Sequence, residues 1–341
     1  MIGIMITGCS MHSNDLINVL RDNYDNEEIK IVGINCEDTA LLRKGVDAGY
    51  VVPRITEPDY ISTVIDICKI EGVDVIFPFI TAELPIMAAN KEHIERHGIK
   101  VSVASEAALR DVGDKVTLSK RYPSLMPRQA LARTAKDCFE FAASVGYPNK
   151  PICCKLPDRC GGLGFSVVDE EKGLDMTLFN KFGRNRYINF SMLTQLVEHA
   201  GSEVILQEFE EGSDYSMCGL AENGKLLFGL GFEASLMAFG SAMFANIKQN
   251  DEAYRIAEQI VSDSGLDGNF CCDFILKEDG SVKLLEVNPR LSATLPFIAK
   301  AGLNLPYLRA IQLLGRDVSK MEFDINYALR MSKNYESEYF V

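Results

Sequence analysis

The sequence predicts an α/β N-terminal domain with a parallel, doubly wound sheet, followed by an α+β region with antiparallel sheets. In the first third of the chain, short apolar segments alternate with segments of helical spacing, which is typical of β-α-β units. In the last third, the dipeptides Asn223-Gly224 and Asp279-Gly280 each lie between apolar runs. Such dipeptides are characteristic of β-hairpins, which pair their strands antiparallel.

The composition is that of a globular protein of roughly two or three domains. The chain has 341 residues, of which 47% are hydrophobic and 24% charged. No apolar run approaches the roughly 20 residues that span a bilayer. Met1–Thr7 has no basic leader and is predicted to be a first strand rather than a signal peptide.

Charge and cysteine usage narrow the class of protein. The net charge of −13 argues against a surface that binds nucleic acid or an anionic membrane, although local cations can still bind ATP. Ten cysteines are present, in no Cys-x-x-Cys pattern and partly as adjacent pairs inside apolar runs. We interpret most of them as reduced, buried thiols and expect a cytoplasmic protein.

The N-terminal elements follow from apolar spacing and from glycine stops. The predicted domain comprises residues 1–113 and contains strands at Ile2–Thr7, Ile29–Ile34, Val73–Phe77 and Ile99–Val103 and helices at Tyr60–Glu71 and Glu83–Gly98. We expect this parallel sheet to have helices on both faces.

The next predicted domain comprises residues 114–200. Thr134-x-x-Asp137 resembles a capping box that opens a helix over Asp137–Val145. Pro151–Lys155 is predicted as a strand, and the glycine-rich stretch Asp158–Phe165 follows it. Residues 185–201 are predicted to form a connecting helix with loops.

The third predicted domain comprises residues 201–341. Its predicted hairpins pair Tyr215–Ala221 with Lys225–Phe232 and Asn269–Lys277 with Val282–Val287. Between them, Asp251–Gly265 has apolar residues on one face and is predicted to be an amphipathic helix. The polar tail from about Ser319 gives no clear pattern.

A candidate metal site follows from the second hairpin. If Asp279-Gly280 forms a two-residue turn, Asp273 and Glu286 lie directly opposite each other, with Cβ atoms about 4.5–5.5 Å apart. Asn288 lies two residues beyond Glu286 and shares its face. Two carboxylates and an amide, all oxygen donors, suit magnesium better than zinc.

The alternative is an acidic, solvated sheet face without a role. Apolar neighbours such as Phe270, Phe274 and Leu284 favour a buried hairpin, and paired carboxylates in such a place need a cation or a shifted pKa. Arg290 follows Asn288 closely, where its guanidinium could bind a phosphate oxygen.

Phosphate and adenine contacts are less specific. The loop that contains Gly161, Gly162 and Gly164 follows a strand that ends in Lys155, and glycines let backbone N–H groups approach phosphates. A plain hairpin turn explains it equally well, because the Gly-Lys-Ser/Thr ending of a P-loop is missing.

Three further segments are candidates for the nucleotide. Glu208 and Phe209 end an apolar strand, where free backbone groups could bind an adenine edge. Asp214 could hold ribose hydroxyls, and Lys115 opens a helix between the first two domains. The alternatives are an ordinary edge strand and a solvated lysine.

These pieces, in this order, resemble the ATP-grasp superfamily, and among its branches the large subunit of carbamoyl phosphate synthase and the single-unit ligases similar to it. The similarity extends from Ile4 to about Val318. Asp74-Val75-Ile76-Phe77-Pro78 resembles the Rossmann-like pre-ATP domain, and Gly113-Asp114-Lys115 resembles the entry to the ATP-grasp fold. Glu286-Val287-Asn288-Pro289-Arg290 is the most specific motif.

The resemblance implies a role for each candidate residue. It implies that residues 114–200 form a small lid with a glycine-rich loop and that residues 201–341 form the catalytic subdomain. ATP would be contacted by Lys115, Lys155, Gly161, Gly162, Gly164, Glu208, Phe209 and Asp214. Magnesium, or manganese as an alternative, would be held by Asp273, Glu286 and Asn288, and Arg290 and Lys155 would act on the transferred phosphate.

The expected reaction is therefore an ATP-dependent carboxylate–amine ligation through an acyl phosphate. The expected partners are ATP and small carboxylate and amine substrates, with a homodimer as the commonest assembly for a soluble enzyme. Two alternatives stay open. One is a non-catalytic ATP-binding or regulatory protein on the same fold. The other is an NAD-dependent oxidoreductase, although the Gly-x-Gly-x-x-Gly fingerprint is absent after the first strand.

Overall fold

The computed structural model describes residues 1–156, 164–238, 241–334, 337 and 339. Three sheets follow one another along the chain. Within the described residues, no helix is long and apolar enough to cross a membrane.

The first sheet is parallel and has helices on both faces, which confirms the predicted N-terminal architecture. Its strand order is β3-β2-β1-β4-β5. The strands are β1 (Ile2–Ile6), β2 (Ile29–Asn35), β3 (Ala48–Val51), β4 (Val75–Phe77) and β5 (Lys100–Val101). The helices are α1 (Asn14–Arg21), α2 (Ala40–Lys44), α3 (Tyr60–Glu71), α4 (Leu84–Ala89), α5 (Lys91–Glu95) and α6 (Glu106–Gly113).

The predicted helix Glu83–Gly98 is wrong in one respect, because it is divided. A 3₁₀ turn at Thr81–Glu83 precedes α4, and α5 begins after Asn90. The Asn90 side-chain amide donates to the carbonyl of Ile86 at 2.9 Å. Asparagine competes in this way for backbone partners, which favours a break that apolar spacing alone does not reveal.

The middle sheet has the order β6-β10-β7-β8-β9 and is antiparallel except for the β8–β9 pair. Its strands are β6 (Gln129–Ala132), β7 (Ile152–Lys155), β8 (Phe165–Val168), β9 (Tyr187–Ile188) and β10 (Val204–Glu208). Helix α7 (Lys115–Arg121) precedes this sheet and packs in the core of the third sheet through Leu118. The remaining helices of this region are α8 (Ala135–Val145), α9 (Met176–Phe182) and α10 (Phe190–His199). Apolar residues of α8 and α10 pack on one face of this sheet.

The predicted capping box at Thr134 is present and gives a test of stability. The Thr134 hydroxyl accepts from the N–H of Asp137 at 3.3 Å, and the Asp137 carboxylate accepts from the N–H of Thr134 at 2.9 Å. We expect Thr134→Ala to lower the free energy of unfolding by about 1 kcal/mol. Thr177→Ala, at an exposed position of α9, is the control, and urea titration measures both. Equal midpoints for the two variants would contradict the capping role.

The third sheet is antiparallel, as predicted, with the order β15-β14-β11-β12-β13-β16. Its strands are β11 (Ser213–Glu222), β12 (Lys225–Ala238), β13 (Ser241–Ile247), β14 (Gly268–Leu276), β15 (Val282–Asn288) and β16 (Arg330–Ser332). Its helices are α11 (Asp251–Ser264), α12 (Leu295–Lys300) and α13 (Leu305–Leu313). Helix α11 packs on one face, and α12 and α13 contribute to the core on the other.

The first predicted hairpin is confirmed. Asn223 and Gly224 both have positive φ, at 46° and 81°, and Glu222 pairs with Lys225 across them. This is the two-residue turn that matches the twist of the strands.

The second hairpin has a different turn from the predicted one. Lys277 pairs with Ser281 through an N–H···O bond of 2.9 Å, so the loop has three residues and places Gly280 at φ 85°. The register then shifts by one residue between the pairs Asp273↔Glu286 and Phe274↔Leu284. The longer loop and this bulge compensate for each other, so Asp273 lies opposite Glu286 as predicted although the predicted turn length was wrong.

The three sheets can be compared with the three predicted domains. The middle sheet includes β10, which lies beyond residue 200, so its strands extend from 129 to 208. The boundaries at residues 113 and 200 stay predictions. The polar tail, which had no sequence pattern, contributes β16 by pairing with β13.

Candidate active site

Two carboxylates and an amide converge on the paired strands β14 and β15. Asp273 and Glu286 are cross-strand partners. The Asn288 amide nitrogen donates to Asp273 Oδ2 at 3.0 Å and to Glu286 Oε1 at 3.1 Å. One donor group therefore bridges two acidic side chains on a single face of the sheet.

Asp273 is held from a third strand. The Ser216 hydroxyl of β11 donates to Asp273 Oδ1 at 2.6 Å, and Ser216 is the residue opposite Asp273 in the β11–β14 pair. The Cys271 thiol lies 3.6 Å from the same oxygen. These contacts fix the orientation of the Asp273 carboxylate.

A lysine from the connection between the first two sheets completes the cluster. Lys115 Nζ lies 3.4 Å from Glu286 Oε2, and the two side chains are 18% and 31% exposed. Asp114 caps helix α7 by accepting from the N–H of Thr117 at 2.7 Å, which places Lys115 at the first helical position. Gly113 lies beside the Pro289 ring, so this segment packs directly on the Glu286–Arg290 strand end.

The electrostatics of the two carboxyls differ. Burial, followed by the negative charge of Glu286, raises the pKa of Asp273 to about 7. Burial alone would also raise the pKa of Glu286, but Lys115, the Asn288 amide and Lys155 together lower it below its ordinary value. The proton of the pair is therefore carried by Asp273, which loses it as the pH rises through about 7.

The donor set fits a magnesium ion. The Lys115 ammonium pairs with Glu286, and the neutral Asn288 amide donates to both carboxylates. A rotation of the Asn288 amide would present its oxygen alongside the carboxylates. In the described residues, no group of three His, Cys, Asp or Glu side chains is arranged for a metal, so the candidate site uses two carboxylates and one amide.

A dependence of metal binding on pH follows. A magnesium ion held here would bind the ionised carboxylate, so its affinity should rise with pH until Asp273 is deprotonated near pH 7, by up to about tenfold per pH unit below that value. The stability of the metal-free protein should change in the opposite sense. The raised pKa stabilises the fold at low pH, and this contribution is lost as the pH rises through about 7.

Calorimetry with MgCl₂ and an ATP analogue at pH 6 and pH 8 measures the first effect. Thermal melts from the ordinary pKa range of an aspartate up to about pH 8 measure the second. Asp273→Asn should remove both trends. A magnesium affinity that is the same at pH 6 and pH 8 would contradict the assignment.

Lys155 faces the same cluster from the middle sheet. Burial lowers its pKa, while the charges of Glu286 and Asp273 act in the opposite direction. Its Nζ lies 5.9 Å from the centre of the Phe165 ring across the β7–β8 pair. The predicted loop glycines Gly161 and Gly162 lie outside the described residues, and Gly164 has φ 70° at the start of β8.

Asp214 lies on β11, two residues before Ser216 and on the same face. Burial raises its pKa, and the nearby charge of Arg186 opposes this shift. Arg186 belongs to the middle domain, where its Nε is 2.8 Å from Asp175 Oδ2. The middle and third sheets therefore face each other across a cleft that has Lys155 and Arg186 on one side and acidic residues on the other.

Glu208 ends β10, and Phe209 follows it. Both line a groove together with Asn149, Lys150, Pro151, Glu210, Glu211 and Lys277. The Glu208 carboxylate is 3.1 Å from Arg128 Nε. The backbone N–H of Glu208 donates to the carbonyl of Arg128 at 2.9 Å. The role of this segment in binding adenine stays a prediction.

Arg290 is directed towards the first domain. Its Nε donates to Thr81 Oγ1 at 2.8 Å and its Nη1 donates to the carbonyl of Leu291 at 2.7 Å. Thr81 follows β4 at the carboxyl edge of the parallel sheet. Arg290 thus connects the metal-site strand to the N-terminal domain, and its role with the transferred phosphate stays a prediction.

Several residues of the site carried no sequence signal. Ser216 contacts Asp273 because β11 pairs with β14. These two strands are not joined by a short turn, so their register cannot be counted from the sequence. Buried Gln207 donates to Gln129 at 3.2 Å, and Gln129 donates to the Lys115 carbonyl at 3.3 Å. This pair of amides ties the backbone of Lys115 to the middle sheet.

Two family models match the chain. Residues 4–102 match the model described as PylC-like, N-terminal domain. Residues 201–336 match the model described as ATP-grasp in the biosynthetic pathway with Ter operon. The first match coincides with the parallel sheet and the second with the sheet that carries Asp273 and Glu286.

Among curated proteins, the chain is similar to large chains of carbamoyl phosphate synthase. It is 22% identical over 334 residues to the arginine-specific large chain of Halalkalibacterium halodurans, covering 95% of this chain and 29% of that protein. It is 22% identical over 278 residues to the corresponding chain of Bacillus subtilis, covering 80% and 25%. The chain therefore spans between a quarter and a third of the length of these relatives.

Solved structures share the fold. The biotin carboxylase domain of a 2-oxoglutarate carboxylase from Hydrogenobacter thermophilus, a dimer in complex with MgADP, ADP and bicarbonate, is 15% identical with a TM-score of 0.68, covering 96% of this chain and 73% of that one. An ADP complex of N5-carboxyaminoimidazole synthetase from Staphylococcus aureus is 12% identical with a TM-score of 0.68, covering 95% and 80%. An L-amino acid ligase from Bacillus licheniformis is 14% identical with a TM-score of 0.64, covering 97% and 78%.

Proposed function

We propose, from the premise that this chain joins a PylC-like N-terminal domain to an ATP-grasp domain, that it is an ATP- and magnesium-dependent ligase of the carboxylate–amine type. The observation that carries the proposal is the cluster of Asp273, Glu286 and Asn288 with the Lys115 ammonium against it. Oxygen donors beside a lysine suit a metal-bound triphosphate.

Each side of the cleft has a role in the proposal. Lys115 and Lys155 neutralise phosphate oxygens, and the low pKa of Glu286 keeps that carboxylate ionised as a metal ligand. Magnesium, when bound, neutralises charge on the transferred phosphate and orients it. In this proposal, the packing of the middle sheet against the third limits the access of water to the reacting groups, which protects a reactive intermediate.

The proposed reaction has two steps. A substrate carboxylate attacks the γ-phosphorus of ATP, the bond to ADP breaks, and an acyl phosphate forms. An amine then attacks the acyl carbon and releases phosphate. The position of Arg290, between Asn288 and the N-terminal domain, supports a role at the phosphate and carboxylate end of the cleft.

The proposed nucleotide half is supported by the relatives. Two solved structures of the same fold are described as complexes with ADP, one of them with magnesium. We extend this to the chain as a proposal, with Glu208, Phe209 and Asp214 at the adenosine end. A homodimer and a cytoplasmic location are part of the same proposal.

Calorimetric titration with ATP, with and without magnesium, tests the nucleotide half. We expect binding that tightens in the presence of magnesium, and no comparable heat with NAD. The acceptor half is tested by phosphate release in the presence of single amino acids, dicarboxylates or bicarbonate. Magnesium-dependent ATP binding without substrate-stimulated phosphate release would favour a non-catalytic ATP-binding protein instead, and no ATP binding at millimolar concentration would overturn the proposal.

A further inference from the structure

A pair of thiols lies next to the metal-binding cluster. Cys218 and Cys271 are directly opposite each other on β11 and β14. The next pair along the same face is Ser216 opposite Asp273. The Cys218 and Cys271 sulfurs are 3.4 Å apart, and the Cys271 sulfur is 3.6 Å from Asp273 Oδ1. Both cysteines are free.

The geometry brings this pair close to a disulfide. Opposed residues of antiparallel strands have Cβ atoms about 4.5–5.5 Å apart, whereas a disulfide needs about 3.5–4.5 Å and a sulfur–sulfur bond of about 2.05 Å. A small local approach of β11 and β14 would suffice. The same approach would shift Ser216 and Asp273, because they are two residues away on the same two strands.

We propose that Cys218 and Cys271 are a redox modification site, in which a small peroxide converts them to a disulfide and thereby weakens metal-dependent nucleotide binding. The effect on binding rests on the proposed function, whereas formation of the disulfide does not. Cys271 can no longer donate its S–H to Asp273 once its sulfur is bonded to Cys218.

The chemistry balances with hydrogen peroxide as the oxidant. One thiol loses its proton, and the resulting thiolate attacks a peroxide oxygen. An S–O bond forms, the O–O bond breaks, and the departing hydroxide takes that proton and leaves as water. The second sulfur then attacks the first, the S–S bond forms, and the hydroxyl leaves as water with the proton of the second thiol. Two thiols are oxidised and one peroxide is reduced to two waters.

Access determines which oxidants act. Cys218 is 0% exposed and Cys271 is 2% exposed, so the pair is protected from bulky reagents. Cys36 is exposed and should react first with a large aromatic disulfide. Hydrogen peroxide is close to water in size, so it is the oxidant used in the test.

The test treats the full chain with millimolar hydrogen peroxide, removes the oxidant, and maps peptides without reduction. We expect a peptide that joins Cys218 to Cys271, a loss of affinity for a non-hydrolysable ATP analogue with magnesium of about tenfold, and recovery with dithiothreitol. Cys218→Ser should bind the analogue as the unmodified protein does and should not respond to peroxide. Cys36→Ser is the matched control and should respond as the parent protein does.

The outcomes separate the two proposals. Absence of the Cys218–Cys271 peptide after peroxide treatment overturns the modification site, whatever the nucleotide data show. A disulfide that leaves affinity unchanged overturns its effect on binding. A reduced protein that binds no nucleotide overturns the proposed function, while the peptide map still decides whether the disulfide forms. If Cys218→Ser does not fold, the peptide map and dithiothreitol recovery of the parent protein remain decisive.

Discussion

Glu286→Gln should reduce magnesium-dependent ATP turnover by at least about a thousandfold, on the order of 4 kcal/mol, while the protein stays folded. The amide keeps the size and shape of the side chain but removes the charge that pairs with Lys115 and that lies opposite Asp273. With this charge absent, magnesium loses an anionic ligand, and the pKa of Asp273 falls because Glu286 no longer raises it. Melting temperature should therefore change little, since one buried repulsion disappears together with one ion pair.

The measurement is phosphate release with the best substrate found, together with calorimetry of ATP and magnesium. Glu278→Gln is the matched control. It makes the same chemical change at Glu278, which is exposed in the loop of the same hairpin. We expect this control to behave as the parent protein does. Turnover by Glu286→Gln at the parent rate would remove Glu286 from the site.

Arg309→Met should lower the free energy of unfolding by about 3 kcal/mol, which is a large effect for one residue. The Arg309 guanidinium is 2% exposed and holds Asp267 with two bonds, of 3.2 and 2.6 Å. It also donates to Ser102, which follows β5 of the first domain, at 3.4 Å. Methionine fills similar space but leaves the Asp267 carboxylate without its cation.

Urea and thermal unfolding measure this effect. Arg316→Met is the control, because Arg316 pairs with Asp25 at the surface, where ion pairs contribute little. The double variant Arg309→Met with Asp267→Asn should recover part of the loss, since it removes the unpaired charge. Equal stability losses for Arg309→Met and Arg316→Met would show that burial of Arg309 adds nothing.

The expected results differ in what they report. Glu286 tests the chemistry assigned to a site that local sequence pattern predicted. Arg309 tests a contact between the first and third sheets that local pattern did not predict. Apolar spacing predicted neither helix α13 nor the burial of Arg309. A cation is buried only where a partner compensates for the loss of its hydration, and the partner Asp267 is distant in sequence.

Local signals were reliable where the partners are close in sequence. The Thr134 capping box and the Asn223-Gly224 turn were predicted because a cap or a two-residue turn depends on a few neighbouring residues. The break at Asn90 and the three-residue loop before Ser281 were missed because they depend on competing hydrogen bonds of similar strength. Even so, Asp273 and Glu286 are cross-strand partners as predicted, because a bulge compensates for the longer loop.

The sequence by itself determined that this chain has a parallel N-terminal sheet, an antiparallel C-terminal sheet, and paired carboxylates beside Asn288. Alternation along a strand and the chemistry of a turn act over a few residues, so they can be inferred from order alone. Only the tertiary structure decided that Lys115 meets Glu286, that Ser216 holds Asp273, and that Cys218 lies against Cys271. Those contacts join segments far apart in the chain, and they exist only because sheet pairing and packing of the whole protein bring the segments together.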